Sequence, residues 1–186
     1  MYAVVAVFNP ELERAIIKVW DELKEKGISA YASQVRDRRP HITLGDFPEL
    51  DPVRFSEDFV HHYRDHSPIE IRLSSIGLFI RTGILYYSPV LSEELAALHR
   101  DFHRQFLLPD GNESSLYRPG SWIPHCTIAN RLSTDEQLKA FQLVKDREIP
   151  QGTIAGLSLL DLRVQGEAPE IATVSFGEQT AGTKVV

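Results

Sequence analysis

The pentapeptide Pro40-His41-Ile42-Thr43-Leu44 recurs in the second half of the chain as Pro124-His125-Cys126-Thr127-Ile128. Both copies read proline, histidine, any residue, threonine and an aliphatic residue, and we call them the first and second His-x-Thr motifs. At average residue frequencies, one such pentapeptide arises by chance in roughly one chain of this length in several hundred. Two copies in one chain therefore indicate a shared role.

The motif has the pattern of a β-strand with one chemical face. Side chains alternate along a strand, so His41 and Thr43 fall on one face while Ile42 and Leu44 fall on the other. The second motif sorts in the same way, which makes Cys126 a small core residue rather than a nucleophile. Proline suits the start of a strand, where no ladder donor is needed. Each motif is thus predicted to present an imidazole and a hydroxyl together.

Composition limits the classes of function. The 186 residues are 42% hydrophobic and 25% charged, which is typical of one soluble globular domain. A net charge of -6 argues against duplex DNA or an anionic membrane as a partner. An anionic ligand must then be met locally, and the basic cluster Arg36, Arg38 and Arg39 leads into the first motif.

The single cysteine predicts a reducing compartment, since it cannot form an intramolecular disulfide. The apolar run from Tyr2 to Phe8 is too short to span a membrane and lacks a basic flank, so we predict neither a targeting segment nor a span. We expect a cytoplasmic, monomeric protein.

Secondary-structure signals follow the same order in both halves. The first half predicts a strand over Tyr2–Phe8, a helix from Asn9-Pro10 to Lys26, a strand or loop over Ile28–Ala32, the first motif, a helix from Asp51-Pro52 to His66, and one or two strands over Ile69–Ile80. The second half predicts a strand over Gly83–Val90, a helix capped by Ser92, the second motif, a helix from the Ser133 capping box to Arg147, and a strand pair over Thr153–Val164 and Ile171–Phe176.

This repetition predicts an internal duplication. The interval from Pro10 to His41 equals, to within two residues, the interval from Ser92 to His125. We therefore predict one domain over residues 1–186 with half-repeats at approximately 1–80 and 83–177 and a frayed tail over 178–186. Two similar halves related by pseudo-symmetry would bring the motif strands together at a central cleft.

With the paired motifs and the repeated element order, the chain resembles the 2H phosphoesterase superfamily, which contains RNA 2′,3′-cyclic phosphodiesterases and 2′-5′ RNA ligases. The specific part of the resemblance is His41–Leu44 and His125–Ile128. It implies a bilobed, pseudo-twofold α+β fold with two antiparallel-rich sheets flanked by helices around a V-shaped cleft. It also implies His41 and His125 as the acid and base pair, Thr43 and Thr127 as phosphate-binding residues, and no metal or other cofactor.

Two histidines suit such chemistry because an unperturbed imidazole, with a pKa near roughly 6.5, can give or take a proton near neutral pH. Threonine hydroxyls can donate to phosphate oxygens as their charge builds, which would stabilise that charge without a cation. Together with these residues, the resemblance implies a metal-independent phosphoesterase acting on a cyclic nucleotide or RNA end, namely a 2′,3′-cyclic phosphate or a related cyclic or 2′-5′ phosphodiester. The alternative is a non-catalytic RNA-end or nucleotide-binding module. The sequence does not assign base and acid.

Other residues carry weaker signals. Arg39, Tyr117, Trp122 and Arg131 lie near the motifs and are candidate substrate contacts, although exposure is the default for either arginine. The segment 108–123 is predicted to be either a lid or an inert connection. His99 and His103 have a spacing that can bind zinc, but Arg100 replaces the glutamate of a zincin motif and no third ligand is evident. We interpret these two histidines as a solvated helix face.

Overall fold

The computed structural model describes residues 1–106 and 115–177. It contains eight strands: β1 (Tyr2–Phe8), β2 (His41–Phe47), β3 (Ile69–Arg72), β4 (Ser75–Phe79), β5 (Ile84–Ser88), β6 (Cys126–Ala129), β7 (Gln151–Asp161) and β8 (Glu170–Ser175). The four α-helices are α1 (Pro10–Glu25), α2 (Pro52–Tyr63), α3 (Glu93–Phe106) and α4 (Thr134–Val144). No helix in this described part is long and apolar enough to cross a membrane.

Local signals start the helices where the sequence predicts. The Asp51 carboxylate accepts from the first backbone N–H groups of α2, and Ser133 and Glu136 form the predicted capping box of α4. Two details differ. The Asn9 side chain does not cap α1, because its oxygen accepts from the backbone N–H of Thr153 and ties the helix start to β7. The segment predicted as a strand or loop over Ile28–Ala32 leads instead into a short 3₁₀ helix, Tyr31–Gln34.

The strands form two antiparallel sheets, which confirms the predicted bilobed α+β fold. The larger sheet has the order β2-β1-β7-β3, with β8 also paired to β7, and the smaller has the order β4-β5-β6. In each sheet the motif strand pairs with the first strand of its own half, while a late strand of the other half closes the other side. The order β2-β1-β7 thus corresponds to β6-β5-β4, and the two halves are intertwined. The half-repeat boundaries stay a prediction, and residues 178–186 lie outside the described residues.

The two faces of β1 separate the core from the cleft. Tyr2, Val4, Ala6 and Phe8 belong to the hydrophobic core, whereas the alternate side chains Ala3, Val5 and Val7 line a cavity. Because Val5 pairs with Thr43 and Val7 with His41, this cavity face is also the chemical face of the first motif. Helix α1 contacts β6, and α3 contacts β2. Each helix therefore supports the motif strand of the other half.

Candidate active site

The fold brings the two motifs together. Strands β2 and β6 are in contact, and the Cys126 thiol lies beside the His41 backbone. Within both motifs the alternation is as predicted: Ile42, Leu44, Cys126 and Ile128 are fully buried, while His41, Thr43, His125 and Thr127 are half-buried. The buried side chains hold the strands in the core, and the chemical side chains remain accessible.

Both histidines are held in the same tautomer. Nδ1 of His41 lies 2.7 Å from the carbonyl oxygen of Arg39, and Nδ1 of His125 lies 2.7 Å from that of Ile123. A carbonyl can only accept, so each Nδ1 carries the hydrogen and donates it. In the neutral ring Nε2 then keeps its lone pair and is the nitrogen left to exchange protons.

The electrostatic surroundings favour neutral imidazoles. Burial lowers the pKa of His41 to about 4; the Nδ1 hydrogen bond opposes this shift, and the charges of Arg38, His125 and Arg39 add to it. Burial also lowers the pKa of His125, again against its backbone hydrogen bond. These shifts favour the uncharged form of both rings at neutral pH, and His41 is the ring with the arginine charges of Arg38 and Arg39 beside it.

Two tryptophans fix the motif backbones from the opposite halves. The Trp20 indole on α1 donates to the Thr127 carbonyl at 3.2 Å, and the Trp122 indole donates to the Thr43 carbonyl at 2.9 Å. Trp122 is a predicted substrate contact that the structure places against the motif backbone. These reciprocal bonds link the position of each threonine to the other half of the protein.

A tyrosine accompanies each threonine. Tyr117, a predicted substrate contact, lies beside Thr43, and burial raises the pKa of its phenol while the threonine partly offsets the shift. Tyr31 lies beside Thr127 in the same manner, and burial raises its pKa against the effects of Arg38 and Thr127. Sequence reasoning missed Tyr31. Its signal was positional, since a tyrosine precedes both motifs at a similar distance.

A cavity of about 370 Å³ opens beside the first motif. Its floor is the small apolar face of β1, and its rim includes Arg38, His41, Thr43, Tyr117 and Glu170. Neither His125 nor Thr127 lines it. On the other side, the Phe79 and Tyr86 rings lie 4.8 and 5.3 Å from the His125 ring. The two sides of the site are thus chemically different.

The remaining candidates are placed as follows. Arg39 donates through Nε and Nη2 to the Glu13 carboxylate and through Nη1 to Glu170, at 2.9 to 3.1 Å. Arg131 is exposed, in the left-handed backbone region at a φ of 55°, just beyond β6. The roles of Arg39 and Arg131 as substrate contacts stay predictions. The segment 108–123, predicted to be either a lid or an inert connection, falls partly on residues 107–114, which lie outside the described residues.

The interpretation of His99 and His103 as a solvated helix face is wrong, because both are buried. Nε2 of His99 donates to the Tyr117 carbonyl at 2.7 Å, and Nε2 of His103 donates to the Leu44 carbonyl at 2.9 Å. The His99 ring also stacks on Trp122, 3.8 Å between centroids. These rings support the site from α3. Within residues 1–106 and 115–177, no group of three or more His, Cys, Asp or Glu side chains is arranged to hold a metal ion.

Comparisons with known proteins agree with this fold. Solved structures of similar fold include Escherichia coli LigT complexed with 3′-AMP, a phosphoesterase, and TT0787 of Thermus thermophilus. Their sequence identities are 14%, 13% and 19% and their TM-scores 0.64, 0.63 and 0.57, and each match covers 95% of this chain and 98% of the other. At such identities the likeness shows the fold alone. A search of curated proteins found no match.

The comparison with protein families identifies the family of the chain in addition to its fold. The model of the 2′-5′ RNA ligase superfamily matches residues 9–165, a span that includes both His-x-Thr motifs. The match supports an activity of the 2H phosphoesterase or 2′-5′ RNA ligase type. The chain belongs to the 2′-5′ RNA ligase superfamily.

Proposed function

We propose that the protein is a metal-independent phosphoesterase that hydrolyses a 2′,3′-cyclic phosphate, or a related cyclic or 2′-5′ phosphodiester, of a nucleotide or an RNA end. The observation that carries the proposal is the matched state of the two histidines. Each ring commits Nδ1 to a carbonyl two residues earlier in the chain and leaves Nε2 for proton transfer. Two imidazoles prepared alike on adjoining strands are what an acid and base pair needs.

The proposed reaction consumes one water. As the water oxygen attacks phosphorus, one imidazole takes a water proton, and the other gives a proton to the ribose oxygen as its bond to phosphorus breaks. We assign the base to His41, because burial and the neighbouring arginine charges keep it neutral. We assign the acid to His125, which can acquire a proton when the phosphodiester anion binds beside it. Thr43 and Thr127 donate to the non-bridging oxygens.

The cavity supports a small ligand. Its volume of about 370 Å³ is near the lower end of the range for small-molecule pockets. The net charge of -6 also disfavours contacts with many phosphates. We therefore propose a cyclic nucleotide or the last nucleotide of an RNA as the substrate, with its nucleoside over the apolar face of β1 and its phosphate between the motifs.

The test is a panel of 2′,3′-cyclic nucleotides and 2′-5′-linked dinucleotides, incubated with the protein in excess chelator, with products resolved by chromatography. We expect one bond to phosphorus to open in chelator. His41→Asn and His125→Asn should each reduce turnover by about a hundredfold or more. His61→Asn on the exposed face of α2 is the matched control and should leave turnover unchanged.

The rival binding module gives a different outcome. It would be stabilised by nucleotide in a thermal melt yet open no bond in any substrate. Turnover that depends on an added divalent cation, or that survives the loss of either imidazole, would contradict the proposed mechanism.

A further inference from the structure

Arg38 occupies an unusual position beside the first motif. It lines the cavity with His41 and Thr43, and its guanidinium lies over the Tyr31 ring, 4.0 Å from the ring centroid. Tyr31 is buried, so this cation–π contact holds the guanidinium against a fixed surface. The charge of Arg38 reaches the reacting group, since it contributes to lowering the pKa of His41.

One donor of Arg38 is unsatisfied. Its Nε is buried, and among the described residues it has no hydrogen-bond acceptor. The adjacent Arg39 is the opposite case, because all three of its nitrogens donate to the Glu13 and Glu170 carboxylates. A buried guanidinium donor without an acceptor is costly, and the charge of an anion in the cavity that Arg38 lines would offset that cost.

We propose that Arg38 binds the negatively charged phosphate of the substrate and is the cation that stabilises its charge during the reaction. This inference rests on the proposed function and replaces the expectation that threonine hydroxyls act without a cation. Guanidinium suits the task because its fork of donors matches phosphate oxygens and its charge is permanent. Arg39 cannot substitute for it without breaking two ion pairs.

Tyr31 then acts as a positioning residue. Its ring supports Arg38, and its phenol lies beside Thr127 of the second motif. Arg38 of the first half and Thr127 of the second half thus both lie against one buried side chain. A phosphate bound between the motifs would meet donors from both halves, and their spacing depends on Tyr31.

The experiment compares Arg38→Met, which keeps most of the side-chain stem, with Arg38→Lys, which keeps the charge. Arg14→Met on the exposed face of α1 is the charge-matched control. We expect Arg38→Met to lower kcat/KM by about 10- to 100-fold, as the loss of a charged hydrogen bond predicts. Arg38→Lys should recover part of the loss, and the control should match the wild type.

Two measurements without turnover separate this inference from the proposed function. Inorganic phosphate should bind the wild type, and by calorimetry its Kd should rise by about tenfold or more in Arg38→Met. The pKa of His41, followed by NMR of its ring, should rise in Arg38→Met, because one of the charges that lower it is removed. A purely structural role for Arg38 would leave the phosphate Kd unchanged in any folded variant.

The outcomes are distinct. If no phosphodiester is cleaved but phosphate binding depends on Arg38, the proposed function fails and the inference stands. If the substrate is cleaved and folded Arg38→Met keeps kcat/KM and phosphate Kd within twofold of the wild type, the inference is overturned. If Arg38→Met does not fold, Arg38→Gln decides, because wild-type kcat/KM and phosphate affinity in a folded variant without the charge would overturn the inference.

Discussion

Replacement of His99 by asparagine should reduce the amount of unfolding free energy that the protein loses in mild acid. His99 is only 4% exposed, donates to the Tyr117 carbonyl and stacks on Trp122. Burial lowers its pKa from 6.5 to about 4, opposed by the Tyr117 hydrogen bond and aided by the charges of His103 and Arg100. In the unfolded chain this histidine titrates near its ordinary value.

The sign and size follow from linkage. Between pH 6.5 and about 4 the unfolded chain takes up a proton that the folded protein refuses, so the free energy of unfolding falls as the pH falls. A difference of this size in pKa corresponds to about 3 kcal/mol of unfolding free energy. This stability is fully present above pH 6.5, and most of it is lost when the pH falls to about 4. The lowered pKa values of His41, His103 and His125 act in the same direction.

Urea unfolding of the wild type and His99→Asn at pH 7.5 and pH 4 isolates the contribution of His99. The variant should be less stable at pH 7.5, because it loses the stacked ring, yet it should lose about 3 kcal/mol less on acidification. His61→Asn at an exposed position of α2 is the control and should follow the wild type at both pH values. Equal acid sensitivity of the wild type and His99→Asn would refute the reasoning.

Three further predictions concern the support of the site. Trp122→Phe removes the donor to the Thr43 carbonyl and should cost about 1 kcal/mol of unfolding free energy and lower kcat; unchanged urea midpoint and kcat would contradict this. Cys126 is fully buried, and burial raises the pKa of its thiol to about 12, so iodoacetamide should label it only on unfolding; rapid labelling of native protein would be the opposing result. Gly45→Ala places a Cβ 2.6 Å from the buried Phe102 ring and should destabilise the fold by about 1–3 kcal/mol, whereas an unaltered melting temperature would argue against this close packing.

Local sequence signals predicted most of the helices and strands, but they could not predict which strands pair with each other. The capping box at Ser133 and the carboxylate cap at Asp51 act within one helical turn, so their residues are adjacent in the sequence. The pairing of β7 with β1 and of β4 with β5 depends on which sheet each late strand joins. Strand periodicity does not indicate which sheet a strand joins. The pairing of a late strand of each half with the first strand of the other half was therefore seen only in the structure.

For the candidate site, the sequence likewise predicted what depends on local alternation and did not predict contacts between distant segments. Alternation along the two motifs predicted that His41 and His125 share a face with Thr43 and Thr127, because that sorting is a property of any extended segment. Strand alternation could not show that Arg38 and Arg39 have different roles. The carboxylates that pair with Arg39 come from α1 and β8, which are distant in the sequence. The burial of His99 likewise depends on a carbonyl partner from a distant segment.

The central claim is that the two imidazoles act as an acid and base pair, with His41 as the base and His125 as the acid. The direct measurement is kcat/KM against pH, in chelator, for the wild type, His41→Asn and His125→Asn with a 2′,3′-cyclic nucleotide. We predict a bell-shaped profile for the wild type and, in each variant, a loss of about a hundredfold or more together with one limb of the bell: the acid limb in His41→Asn and the alkaline limb in His125→Asn. A wild-type rate, or an unchanged bell, in either variant would contradict the account.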